Sequence, residues 1–298
     1  MSACVAVITP VYCTPQNKRL ALLEETIASV QAQQGADIWH VIVDDGSDPS
    51  LNRINSENHH VVLLKDSVNK GHCSAINSGL EYAFRNVHPD FVTVLNSDDV
   101  LYPSSIADRV NACTKETPVV YSDLAVFSAT TSGLLRTKQF CAKELYNRLL
   151  CVQNIPYPTL LWKTDFFKAY VKQFDEKLRD AEDWDVCLNT ARGLCAEKKS
   201  AVYIEQPTVA YRLHENNLSH KNIRDGTRWK CHKRILKKHI DGPRYWYGLM
   251  NSARMIVPSF LPESIRSSLR AIRDLFGAPI KEYDDEFLRG LRGKNPNA

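Results

Sequence analysis

Nowhere does the chain carry a hydrophobic run approaching the roughly 20 residues that a membrane-spanning helix needs, so no spanning segment is expected. Its nine cysteines are odd in number and never stand as C-x-x-C. That argues against a zinc ribbon or a disulfide scaffold and favours reduced, mostly buried thiols in a cytoplasmic protein. The opening residues, Met1-Ser2-Ala3-Cys4-Val5-Ala6-Val7-Ile8, lack a basic stretch before the apolar one and read as a strand, not as a signal peptide. Glycine is absent from Thr9-Pro10-Val11-Tyr12-Cys13-Thr14, directly after that strand. A dehydrogenase would place G-x-G-x-x-G there and a nucleotidyltransferase typically a glycine-rich phosphate loop, so both are disfavoured. There is no internal repeat and no low-complexity segment.

What is present suffices for a large core: 298 residues, 44% of them hydrophobic. One large domain with an appendage is expected. The net charge of +4 conceals an asymmetry. Residues 215–298 hold 17 Lys and Arg against 9 Asp and Glu, leaving 21 against 25 in residues 1–214. The acidic part carries three carboxylate clusters, and the basic part looks like a surface- or acceptor-binding region.

Apolar runs at Val5–Thr9, Trp39–Val43, Val61–Leu64, Phe91–Leu95 and Val119–Tyr121 predict strands. Helical spacing over Leu20–Gln34, Cys73–Arg85 and Pro103–Cys113 places helices between them. That alternation implies an α/β fold with a doubly wound, mainly parallel sheet. From Leu124 to Trp162 the pattern is irregular, with Tyr157-Pro158-Thr159 interrupting it, as in the wall of a site. A helix is expected over Glu182–Ala196, short strands at Val202–Ile204 and Thr208–Tyr211, and a basic helical region beyond Asn222.

Val43-Asp44-Asp45-Gly46-Ser47-Asp48 and Val94-Leu95-Asn96-Ser97-Asp98-Asp99 both end strands, and Glu182-Asp183-Trp184-Asp185 opens a helix. In open α/β sheets ligands bind at the carboxyl ends of strands, so these carboxylates converge on one crevice suited to a divalent cation and a diphosphate. Hard oxygen ligands at a loop apex are what Mg²⁺ or Mn²⁺ takes while keeping positions for phosphate oxygens. Each cluster by itself also reads as a turn, an N-cap or an acidic first helical turn.

Taken in order, Thr9-Pro10-Val11-Tyr12, Val43-Asp44-Asp45-Gly46-Ser47, Asn69-Lys70-Gly71 with Asn77, Asn96-Ser97-Asp98-Asp99, Phe174-Asp175-Glu176-Lys177-Leu178, Glu182-Asp183-Trp184-Asp185 and Tyr211-Arg212-Leu213-His214 resemble the family 2 glycosyltransferases. These are inverting enzymes of the nucleotide-sugar-binding GT-A fold, and the resemblance covers residues 4–219. It implies a catalytic domain over 1–219 and a basic, mainly helical C-terminal region over 220–298. It further implies that Thr9, Pro10, Tyr12 and Asp45 frame the nucleotide with Asn69, Gly71 and Asn77 beside them, and that Asn96, Asp98 and Arg212 complete donor binding. Asp98, Asp99 and His214 would hold Mn²⁺ or Mg²⁺. Asp183 would be the catalytic base, with Glu182 its neighbour.

Three positions depart from the family pattern: Asn96 replaces the usual first Asp of D-x-D-D, Ile76 a common Arg, and Asn189 another. Weaker metal binding is expected from the first, and phosphate or base recognition from other residues to replace the missing cations. The activity so implied is inverting transfer of a sugar from a nucleotide-diphosphate donor, UDP being expected, to a hydroxyl of a saccharide or lipid-linked saccharide. A non-catalytic carbohydrate-binding relative is the competing class, and retention of Asp183 with Asp98 and Asp99 counts against it.

Residues 221–273 carry 13 Lys and Arg against Asp225, Asp241 and Glu263. Trp229, Tyr245, Trp246 and Tyr247 interleave with Lys230, Lys233, Arg234, Lys237, Lys238 and Arg244. That composition suits peripheral contact with an anionic membrane. It equally suits a helical subdomain packed on the core with a solvated basic face. Nucleic acid is not expected as a partner, because the acidic part would repel a phosphate chain.

Overall fold

The computed structural model of the chain describes residues 2–15, 19–51, 60–150, 155–213, 226–240 and 281–294. Strand β1 (Cys4–Val11) pairs in parallel with β2 (Asp37–Asp45) and with β4 (Phe91–Val94), and β2 pairs in parallel with β3 (His60–Asp66). This is the doubly wound parallel half that the alternation predicts. β1 runs past the expected stop at Pro10. Its ladder with β4 covers only Val5–Ile8, so the missing proline N–H falls beyond the pairing on that side.

Beyond β4 the sheet becomes mixed. β8 (Leu161–Lys163) runs antiparallel to β4 and to β6 (Val119–Phe127), and β7 (Ser132–Leu135) runs antiparallel to β6. β9 (Ala201–Arg212) lies parallel to β6 and carries the short β5 (Val100–Leu101) antiparallel on its other side. β10 (Lys281–Glu282) extends the edge at β7.

Alternate residues along β1 face opposite layers. Val5 and Val7 pack with Val30 of α1 (Arg19–Gln31) and Ile106 of α3 (Ser105–Ala112). Ala6 and Ile8 pack with α2 (His72–Tyr82), α4 (Ala142–Leu149), α6 (Glu182–Glu197) and α7 (Thr227–His239). A short helical turn, α5 (Thr164–Phe166), precedes a π-helical turn over Phe167–Val171. The last helix, α8 (Glu286–Lys294), buries Leu288 and Leu291 against Val100, Ala125, Phe127 and Leu134. Each fully buried aliphatic side chain contributes roughly 1.5–3 kcal/mol, so both helical layers, the C-terminal one included, are held by the same sheet.

Gly79 explains how α2 lies so close to that sheet. A Cβ there would stand 2.6 Å from Ile8 Cγ2 and 3.0 Å from Val43 Cγ2.

Two sequence expectations are corrected here. The stretch from Leu124 to Trp162 is not irregular: it contains the end of β6, the β6–β7 hairpin, α4 and β8. Ser122 and Asp123 hide the strand in the sequence, yet both side chains are buried, with Asp123 accepting hydrogen bonds from Thr137 N and Tyr203 Oη. The two short strands at 202–204 and 208–211 are one, β9. The apparent break at Pro207 is a register shift opposite Asp123, which lets a proline stay in the strand.

Candidate functional site

β1, β2 and β4 end on the same side of the sheet, where the first turns of α2 and α6 also arrive. Tyr12, just past β1, is 41% exposed, whereas Thr9 and Pro10 are buried. Thr9 Oγ1 lies 2.9 Å from His40 Nε2. The crevice is therefore met at this point by the Tyr12 ring and by backbone.

At the end of β2 the two aspartates have separate tasks. Asp44 accepts from Ser47 N at 2.9 Å and Leu51 N at 3.0 Å, closing its own loop. Asp45 accepts from Lys70 N at 2.7 Å and Gly71 N at 2.9 Å, which ties the Asn69–Gly71 segment to the strand end. Burial raises the Asp45 pKa, and the two backbone donors pull it back. Gly46, at φ +73°, lets Val68 and Asn69 approach: a Cβ would meet Asn69 N at 2.6 Å. Gly71, at φ +103°, similarly makes room for the Arg179 guanidinium.

The Asn96–Asp99 loop follows β4. Asp98 Oδ2 receives Arg19 Nη1 at 2.9 Å, with the Asp98 side chain 12% exposed. Asp99 is fully buried; its carboxylate accepts from Arg212 N at 3.1 Å and from Asn96 Nδ2 at 3.0 Å. Burial, then the charge of Asp98, holds the Asp99 pKa well above the carboxylate range. Arg212 arrives here because β5 pairs with β9. Its Nε donates to Asp98 O, its Nη2 reaches Glu25 at 2.6 Å, and its guanidinium lies over the Phe127 ring. His214 lies outside the described residues.

Glu182 and Asp183 open α6. Ala181, immediately before them, is left-handed at φ 60° and buried, a conformation that costs a non-glycine residue about 1–2 kcal/mol. Asp183 Oδ1 accepts from Trp184 N at 2.8 Å. Glu182 Oε1 stands 3.7 Å from His72 Nε2. Burial, then the adjacent Asp183, pushes the Glu182 pKa up to about 8. Tyr157 is buried beneath this pair, its ring against Trp162 and Phe174, and its phenol is raised by burial and then by Glu182 and Asp183.

The parallel strand ends put Tyr12, Asp45 and Asp98 on one side of the sheet, Gly71 joins Asp45, Asn96 and Arg212 join the Asp98–Asp99 loop, and His72 links that loop to Glu182, next to Asp183. Asn77 is engaged elsewhere: it bonds the backbone of Phe174 through both ends of its amide and also donates to Glu176. Ile76 is fully buried in the core, so no side chain at that position enters the crevice here. Asn189 donates to Asp185 at 3.4 Å.

Two residues absent from the sequence expectation belong here. His72 opens α2 beside Glu182; burial lowers its pKa to about 4 while the Asp98 charge opposes that, which sets it between the two acidic clusters. Arg19 opens α1, which has no acidic residue in its first turn. A cation at a helix N-terminus opposes the macrodipole, and that misfit was the available signal.

As a cation site, the described residues hold no group of three or more His, Cys, Asp and Glu side chains. Asp98 fits such a site, since it presents a hard oxygen that already binds a positive group. For Asp99 to join it, the bonds to Arg212 N and Asn96 would have to give way.

A family model described as glycosyl transferase family 2 matches residues 6–182. An uncharacterised glycosyltransferase of Rickettsia typhi is 25% identical over an alignment of 228 residues that covers 72% of this chain and 65% of that relative's length. Residues 1–349 of S. aureus TarS, solved in complex with UDP-GlcNAc, superpose with a TM-score of 0.58 at 16% identity, covering 84% of this chain and 72% of that one. The mannosyltransferase PcManGT from Pyrobaculum calidifontis, in complex with GDP-Man and Mn²⁺, superposes with a TM-score of 0.52 at 13% identity, covering 98% and 79%. At these identities the superpositions establish the common GT-A fold.

Proposed function

This chain belongs to glycosyl transferase family 2, and from that premise we propose that it moves a sugar from a nucleotide-diphosphate donor to an acceptor hydroxyl with inversion at the anomeric carbon. The observation that carries the reading is the approach of His72 to Glu182, the neighbour of Asp183, with the Asp98–Arg19 pair on its other side. A proton acceptor and a charge-compensated diphosphate position thereby face one crevice.

In this mechanism Tyr12 and the Asp45-anchored Asn69–Gly71 segment hold the nucleoside, with Thr9, Pro10 and Asn96 shaping that pocket and Asn77 acting from outside it through its bonds to the Phe174 backbone. Asp183 takes the proton of the acceptor oxygen as it attacks the face opposite the leaving diphosphate. No covalent intermediate is needed. Glu182, its pKa raised by burial and then by Asp183, is the neighbour that tunes that base. Arg19 and Arg212 offset charge on the diphosphate side. Asp98, with His214 and, after rearrangement, Asp99, would hold Mn²⁺ or Mg²⁺, which would supply Lewis-acid stabilisation to the leaving phosphate.

The donor is proposed to be a UDP-sugar, a choice supported by the UDP-GlcNAc complex of the TarS fold relative. The acceptor is proposed to be a saccharide, free or lipid-linked. A lipid-linked acceptor draws support from α7, whose Lys230, Lys233 and Lys237 are exposed beside Trp229, the remaining aromatics of the basic stretch lying outside the described residues. No described helix is long and apolar enough to cross a membrane.

The test is a thermal-shift panel of UDP, GDP, UDP-GlcNAc and GDP-mannose with Mn²⁺, followed by Asp183→Asn. A ligand at 100 times its Kd stabilises by about 2.7 kcal/mol, and UDP compounds are expected to give the larger shift. Asp183→Asn is expected to keep that shift while turnover falls by about 10²–10⁴. Near-normal transfer by Asp183→Asn would sink the base assignment, and release of GlcNAc 1-phosphate in place of UDP from UDP-GlcNAc would point to nucleotidyl transfer.

A further inference from the structure

The basic helix α7 and the acidic stretch from Asp175 to Asp185 are joined by three sets of charged contacts. Arg228 meets the Asp180 carboxylate with both Nε, at 2.8 Å, and Nη2, at 3.1 Å. One turn and a half further along, Arg234 grips Asp175 in the same forked way at 2.7 and 3.2 Å. At the end of α7, Lys238 and His239 divide the Asp185 carboxylate between them, each at 2.7 Å. Between these contacts Trp184 packs against His232, ring centroids 4.8 Å apart and planes tilted by 51°. Paired, forked guanidinium–carboxylate bonds fix direction as well as distance.

The partner acids bracket the proposed base. Asp180 lies on one side of Glu182-Asp183, and Asp185 on the other. Asp180 also accepts from Ala181 N at 2.8 Å through the oxygen that Arg228 Nη2 meets. Ala181 is the left-handed residue from which α6 starts, so the forked pair and the unfavourable backbone share one peptide. Strained backbone of this kind persists when surrounding contacts over-determine it, and it gathers at functional sites. The opposite side of the segment is held as well: Arg179 donates to Lys70 O and Cys73 Sγ to Leu178 O, which links it to the donor-side loop.

We propose that α7 is a clamp on the proposed base, with Arg228 as the positioning residue that, through Asp180, holds Ala181 left-handed and so fixes where Asp183 sits. The inference rests on the reading of Asp183 as base. It assigns the inward cations of the C-terminal region to the reaction and leaves the outward lysines to other contacts. Arg228 touches neither donor nor acceptor in this scheme.

The test compares full-length wild type with Arg228→Ala and the milder Arg228→Lys by amide hydrogen exchange, UDP binding with Mn²⁺, and release of UDP from UDP-GlcNAc. Arg228→Ala is expected to speed exchange at residues 181–185 at least about ten-fold, with the strands of the parallel sheet unaltered and the Kd for UDP within about two-fold. UDP release should fall about ten-fold at saturating donor, with Arg228→Lys in between. Adding Ala181→Gly to Arg228→Ala should recover part of that loss, because glycine takes the left-handed conformation without support. Wild-type protection at 181–185, a uniform rise of exchange across the chain, or no recovery with glycine would overturn the clamp. Failure of the base assignment shows differently, as full turnover in Asp183→Asn, and leaves the exchange result intact.

Discussion

Arg19 and Asp98, 79 positions apart in the chain, meet at 2.9 Å where the donor's diphosphate and its dication are proposed to lie. The guanidinium and a metal ion would compete for one carboxylate. Arg19→Met is therefore expected to tighten Mn²⁺ binding without nucleotide about five-fold, the equivalent of about 1 kcal/mol for a partly exposed pair. Calorimetric Mn²⁺ titration checks this, and unchanged affinity would show that the pair does not compete.

Adjacent aspartates at the end of β4 should fail in different ways. Asp98→Asn is expected to leave the melting temperature near wild type while removing the Mn²⁺-dependent gain in UDP affinity. Asp99→Ala strands the buried Arg212 N–H and the Asn96 amide, a loss of about 1–3 kcal/mol, so it should melt several degrees lower. Thermal unfolding with and without Mn²⁺ and UDP separates the two. Equal melting temperatures for both variants would remove the structural role given to Asp99.

Glu182 sets a pH dependence whose sign can be worked out. Its folded pKa, about 8, lies above the ordinary 4.5. The folded chain therefore keeps a proton that the unfolded chain releases, and rising pH through that window favours unfolding. The groups facing it are Asp183, Asp180, Arg228 and His72. Glu182→Gln cannot ionise, so its melting temperature should gain on wild type steadily from pH 4.5 to 8. A constant difference over that range would contradict a raised Glu182.

The outward face of α7 carries the membrane proposal. Full-length protein should sediment with vesicles containing anionic phospholipid at low salt and be released by raised salt. Replacing Lys230, Lys233 and Lys237 with alanine should weaken that binding, each lysine contributing about 1 kcal/mol near the surface. Protein that stays in the supernatant at low salt would indicate a soluble acceptor.

The parallel half of the fold was legible because Val5–Thr9, Trp39–Val43 and Phe91–Leu95 are buried on both faces and read as continuous apolar runs. β6 and β9 were not, since their polar residues find partners distant in sequence: Asp123 needs Thr137 and Tyr203, and Pro207 needs the register shift opposite it. The site divided in the same way. Carboxylates at strand ends are visible as clusters, but Arg19 and His72 are single polar residues that acquire meaning from Asp98 and Glu182 across the crevice. The positive charge of the C-terminal region was legible as an amount, while its direction was not. Arg228, Arg234 and Lys238 turn inward to acids that the sequence places some 50 residues earlier.

That pairing has a consequence for how the protein is made. A ribosome delivers the acidic stretch from Asp175 to Asp185 well before Arg228, Arg234, Lys238 and His239, and domains fold as units once their parts have emerged. Until α7 is out, the left-handed start of α6 has no counter-charge to hold it and Trp184 has no ring at His232 to rest on. The match to the family model ends at residue 182, inside this acidic stretch and ahead of its basic partners. A nascent chain halted near there would display the acid pair proposed for catalysis without the contacts that set Ala181, so under the clamp proposal the order of synthesis delays the site until the tail arrives.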